Sequence, residues 1–220
     1  MIERMTGKTS KDLKTSCEVP PEPRHARTVA IANEFLLNEN IESFPVRPLD
    51  IILHHGWAVK TFEWLLACEG LTSDVTDITQ AIRHLMGSKD SVVYRLKDGT
   101  YFIAFSGKAR PRTRINFSLA HEIGHIVLGH LEGFDTEGIS DSAYRVLESE
   151  ADCFARNILA PAAVAASLLK AEAEKCQKVF GISAAAWTVR QKLITFDWNT
   201  SPIEHKHAQQ ERFRGFLAGV

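Results

Sequence analysis

The chain has 220 residues, 45% of them hydrophobic and 24% charged, and its 26 basic and 27 acidic residues leave a net charge of −1. A chain of this length buries enough apolar surface to fold without a disulfide framework, and its near-neutral balance gives no general attraction for nucleic acid or an anionic membrane. Cys17, Cys68, Cys153 and Cys176 are scattered with no C-x-x-C pair, against a cysteine zinc cage, and no stretch reaches the roughly 18 uncharged apolar residues of a membrane span.

Residues 1–26 mix Lys, Thr, Ser and Glu and end in Pro20-Pro21-Glu22-Pro23, which reads as an extended or mobile tail. The stretch from Met1 to Glu18 lacks the apolar centre of a secretory signal, so the expected location is the cytoplasm, with reduced thiols. From Arg27, the spacing of Val29, Ile31, Ala32, Phe35 and Leu36 predicts a helix closing near Asn38 to Asn40. Pro48 stands where a first-turn proline would, ahead of Leu49, Ile51, Ile52 and Leu53, with Gly56 as the stop. Phe62 to Cys68 and Ile78 to Met86 read as two further short helices. Ser91 to Leu96 and Tyr101 to Phe105 are β-branched and aromatic runs joined through Asp98-Gly99, which predicts an antiparallel hairpin.

Lys108 to Arg114, basic around Pro111, reads as a solvated loop. Asn116 or Ser118 then caps a helix through Leu119, Ile123, Ile126, Val127 and Leu128. A loop over 132–142 leads to a second helix from Tyr144 to Ala160, stopped by Pro161. Alanine-rich helices fill 162–193, and 197–220 reads as a polar tail. The expected organisation is a tail over 1–26, one domain over 27–194 and a second tail over 195–220.

The chemistry concentrates in His121-Glu122-Ile123-Gly124-His125. On a helix, residues four apart project about 40° from each other, one turn up the same face. Two imidazoles so placed can offer nitrogens to one Zn²⁺ about 2.0–2.1 Å away. Glu122 points off that axis, within reach of a water on the metal whose pKa drops to around 7. A carboxylate there can take the water's proton and pass it to the leaving amine.

A third ligand has to come from elsewhere. His130 follows His121 by nine residues, about 180° round a continued helix, and reads as a helix-end residue. The candidates are Glu148 and Glu150 at the start of the second helix. Glu148 is favoured because Asp152, four residues on, can accept a hydrogen bond from a ligand histidine and fix its tautomer. Ala155 on the same edge permits close helix approach. Glu150, on the other edge of the apolar stripe, stays open as the alternative.

Phe117-Ser118-Leu119-Ala120-His121-Glu122-Ile123-Gly124-His125-Ile126-Val127-Leu128-Gly129-His130 resembles the zinc helix of the ImmA/IrrE metallo-endopeptidases. The likeness continues through Glu148-Ser149-Glu150-Ala151-Asp152-Cys153-Phe154-Ala155 and Asn157-Ile158-Leu159-Ala160-Pro161, and more weakly through Phe180-Gly181-Ile182-Ser183. The resemblance implies an α+β fold: a mainly helical, gluzincin-like (zincin-like) core with a small antiparallel β-hairpin before the zinc helix. It also implies Zn²⁺ on His121, His125 and Glu148, with Glu122 as base. The substrate it implies is a helix-turn-helix repressor or an antitoxin-type regulator, the genes often lying on phages or mobile elements.

Phe180 to Ala186 also resembles the turn of a helix-turn-helix, but only Arg190 and Lys192 follow it, so no direct nucleic-acid contact is expected. A donor for the developing oxyanion has to be found among Tyr144, His130 and the Arg112/Arg114 pair. Tyr144, one turn before Glu148, is the choice. The rival reading is a regulatory or toxin–antitoxin binding module that grips its partner around a structural metal.

Overall fold

A computed structural model describes residues 18–39, 41–68, 90–132 and 139–219. The helix read at Ile78 to Met86 falls outside them, as do residues 1–17 of the N-terminal stretch and 133–138 of the loop. Helix α1 spans His25–Asn38, and α2 spans Pro48–His54 with Pro48 in its first turn. Strand β1, Ala58–Thr61, runs into α3, Phe62–Ala67, where the Thr61 hydroxyl accepts from the Trp64 N–H at 3.1 Å.

β2, Ser91–Arg95, and β3, Tyr101–Phe105, form the expected hairpin. β1 joins it parallel to β3, giving a mixed sheet in the order β1-β3-β2. The sequence reading has no counterpart for β1, because four residues wedged between two helices are too few to display an alternation. One face of the sheet packs Phe102 and Ala104 on Phe62 and Leu65 of α3. The other packs Val93 and Ile103 toward Leu119, Ala120 and Ile123.

Those last three belong to α4, Arg112–Val127. It starts earlier than Asn116 or Ser118, so the basic stretch is loop only as far as Pro111. Pro111 occupies the cap position with extended ψ, its carbonyl accepts from the Arg114 N–H at 2.9 Å, and the Arg114 guanidinium pairs with Asp90. Helix α5, Asp141–Leu159, likewise starts a turn before Tyr144, because the Ser140 hydroxyl accepts from the Ala143 N–H at 3.2 Å. Glu148 and Glu150 therefore lie well inside α5 rather than at its start. α1 and α4 both pack on α5.

After Pro161 come α6, Ala162–Ala165, a 3₁₀ turn, α7, Ala173–Phe180, and α8, Ala184–Thr200. The polar tail expected over 197–220 is instead helical: α9 spans Ile203–Arg212 and α10 spans Arg214–Ala218. This segment docks on α1 and on Phe44 of the link that follows it, through few but well-buried groups. Gln209 donates to Asn33 at 3.0 Å, Asn33 donates to Ser201 at 2.9 Å, and Phe213 is fully buried with its ring centroid 4.8 Å from that of Phe44. Arg190, weighed above as a nucleic-acid contact, is 2% exposed and pairs with buried Asp197. Among the described residues, no helix is long and apolar enough to cross a membrane.

Candidate metal centre

The contact between α4 and α5 is close because α4 carries a glycine where α5 presents Ala151 and Phe154. A Cβ added to Gly124 would stand 3.2 Å from the Ala151 carbonyl oxygen and 3.2 Å from the Phe154 side chain, tighter than side chains normally tolerate. Gly124, with Ala151 and Ala155 fully buried opposite, lets the two backbones approach. That approach sets the reach of Glu148 from one helix to the two histidines of the other.

His121 and His125 sit one turn apart with ring centroids 4.8 Å apart and their Nε2 atoms separated by 3.0 Å. The Glu148 carboxylate straddles them, Oε2 at 3.5 Å from His121 Nε2 and Oε1 at 3.4 Å from His125 Nε2. Ligand atoms of these three residues all lie within 4.8 Å of one another. Glu150, the alternative, is turned away and takes no part in this cluster. Arg24 holds it with its backbone N–H at 2.6 Å and its guanidinium at 2.9 Å.

The tautomers follow from the partners. Asp152, a carboxylate that can only accept, lies 2.8 Å from His121 Nδ1, as its spacing from Glu148 suggested. His121 Nδ1 therefore carries a proton. On the other ring, His125 Nδ1 is 2.9 Å from His130 Nδ1, and His130 Nε2 is 3.1 Å from the Glu150 carboxylate. Glu150 accepts from His130 Nε2–H, which leaves His130 Nδ1 with a lone pair that accepts from His125 Nδ1–H. Both ligand-type rings thus turn an Nε2 lone pair toward Glu148.

Two lone pairs and a carboxylate converging in this way repel one another unless a cation lies between them. Donors about 2.0–2.1 Å from a tetrahedral ion stand roughly 3.3 Å apart, and the separations of 3.0, 3.4 and 3.5 Å bracket that value. The donor set fits zinc. Without an ion, a proton takes the position. Burial opposes charge on His121, but hydrogen bonds to Asp152 and Glu148 prevail and hold its pKa at about 10. His125, desolvated and next to two other imidazoles, falls to about 4. Glu148 stays well below the usual carboxylate range: burial would raise it, but bonds to both rings and to the Tyr144 hydroxyl outweigh that. Sulfur is not part of the cluster, and burial pushes the Cys153 thiol up to about 12.

Glu122 is 4% exposed and accepts from the Ser91 hydroxyl at 2.7 Å, so β2 fixes its carboxylate. A hollow beside it is lined also by His125, His130, Tyr144 and Glu148. Tyr144 lines this hollow and its hydroxyl bonds to Glu148, while Arg114 is engaged with Asp90.

Neither the Ser91 contact with Glu122 nor the His130 contact with His125 is foreseen in the sequence. Ser91 carried no signal beyond strand propensity. His130 did carry one, because Gly129 stands where a helix-ending glycine belongs. Helix α4 stops at Val127, Gly129 takes φ +73°, and the His130 N–H returns to the His125 carbonyl at 3.0 Å. The chain reverses instead of continuing round the helix, which brings His130, 1% exposed, back beneath His125.

A mainly helical α+β core with a small sheet carries a two-histidine, one-glutamate cluster, able to hold a metal ion, beside a buried glutamate. Residues 79–191, more than half of the chain, match the model of the IrrE N-terminal-like domain, peptidase family M78, and the chain belongs to that family. Comparison with curated proteins gives no match.

Proposed function

We propose that the chain is a zinc-dependent endopeptidase that cleaves a regulatory protein in the cytoplasm, with a helix-turn-helix repressor or an antitoxin-type regulator as substrate. The observation that carries the reading is the convergence of His121, His125 and Glu148 next to Glu122. These three residues would hold the ion. Asp152 would orient His121, and His130 with Glu150 would orient His125. Bound zinc supplies Lewis acidity, acidifying water and polarising a carbonyl. Glu122, steadied by Ser91, accepts the proton of the attacking water and delivers it to the leaving amine. Tyr144 donates to the oxygen on which negative charge develops.

Glu122→Gln separates this reading from a gripping module. The expected variant binds one zinc per chain, with cleavage reduced by about 10²–10⁴-fold. If it still relieved repression in full, control would run through binding and not through proteolysis.

A further inference from the structure

The hollow beside Glu122 is a cavity of about 220 Å³ with mostly apolar walls, formed by Val92, Val93, Leu131, Ile139 and Leu147. Its inner end is the candidate metal site itself, through His125 and Glu148. A second hollow of about 200 Å³ shares Glu122 and Glu148 with the first and is lined also by Asp90, Ser91, Phe117, Ser118 and His121. The first hollow is the more apolar of the two, the second carries more polar side chains, and strand β2 runs past both.

β2 is an edge strand, and among the described residues no strand pairs along its outer side. The Leu96 N–H donates to Thr100 and the Ser106 N–H donates to Asp90, each at 2.7 Å. Antiparallel pairs alternate, so Val92 and Tyr94 turn their backbone groups toward β3. Ser91 and Val93 turn theirs outward, beside the reacting position. A substrate segment can therefore add as a further strand. Antiparallel addition is the commoner and the slightly stronger arrangement. A peptide so placed runs from the Arg95 end of β2 toward the Ser91 end. Its residues before the scissile bond meet Val93 and the apolar cavity, and those after it meet Asp90, Ser91 and the second hollow.

We propose that this cavity is the specificity site, holding an aliphatic or aromatic side chain of an extended substrate strand on the N-terminal side of the bond cut. The inference rests on the peptidase reading above. An acidic side chain is rejected there, because it would be desolvated beside the carboxylates of Glu122 and Glu148.

The test is to digest a peptide library of broad composition with the full-length zinc-loaded protein and read the cut sites by mass spectrometry. Apolar residues are expected immediately before the cut, favoured over acidic ones by about tenfold or more. Ile139→Glu, a change in a half-buried loop position, is expected to shift that preference toward Lys and Arg while zinc content and thermal unfolding stay unchanged. As a readout independent of turnover, the Glu122→Gln protein is titrated with two peptides differing only by Leu or Asp before the cut site. The Leu peptide is expected to bind about tenfold tighter or more. A preference confined to the residue after the cut, or none on either side, overturns the assignment and leaves the peptidase reading standing. So does an Ile139→Glu profile identical to the parent's. No cutting by protein loaded with one zinc overturns both.

Discussion

At the scale of single residues, the ability of the two imidazoles to hold an ion turns on which nitrogen of each carries its proton. Asp152 settles this for His121 through one contact of 2.8 Å. His125 depends on a relay through His130 and Glu150 to Arg24. His130→Ala removes the acceptor for His125 Nδ1–H, and zinc affinity is expected to fall about 10–100-fold in a chelator competition. Unchanged affinity would mean that the relay does not orient the ring.

How these residues stood in the sequence follows from their separation. The placement of Glu148 and Asp152 beside the histidines was legible because the two stand one helical turn apart. Glu150 looked eligible on the same local grounds and was excluded only by Arg24, a partner 126 residues away that no local pattern announces. His130 stands at the helix end as expected, but its contact with His125 was not legible, because it depends on Gly129 reversing the chain.

At the scale of elements, the α4–α5 contact decides how far Glu148 stands from the histidines. Gly124→Ala sets two opposing effects against each other. Alanine gains up to about 1 kcal/mol in helix propensity, while the added methyl presses on Ala151 and Phe154 at 3.2 Å, with an overpacking cost of about 1–3 kcal/mol. The helices are expected to part by tenths of an ångström, so zinc affinity drops more than stability does. The comparison is zinc competition against urea unfolding of the metal-free protein. A stability loss with unaltered affinity would show that the spacing is not what tunes the site. The hairpin and the two site helices were legible because each carries its own period, turn or stop. The starts of α4 and α5 were not, because Pro111 and Ser140 act as caps from within what reads as loop.

At the scale of the whole molecule, the C-terminal residues belong to the body of the fold. Asp197 is fully buried and accepts from Arg156 at 3.0 and 3.1 Å, from Asn157 at 3.0 Å and from Arg190, tying α8 to α5. Asp197→Ala leaves two guanidinium groups unpaired in the interior, with an expected loss of about 3–5 kcal/mol in urea unfolding. A loss below about 1 kcal/mol would make the cluster peripheral. The polar look of 197–220 hid this, since the segment docks through a few buried groups, Phe213 and Gln209 among them, that yield no periodic stripe.

In the proposed enzyme two imidazoles and one carboxylate hold a single ion beside Glu122. Zinc-edge X-ray absorption on the full chain tests this most directly. The account requires one zinc per chain whose nearest shell contains two imidazole nitrogens and oxygen donors at about 2.0–2.1 Å. A shell containing sulfur at about 2.3 Å, or a folded protein that takes up no zinc at all, would contradict it.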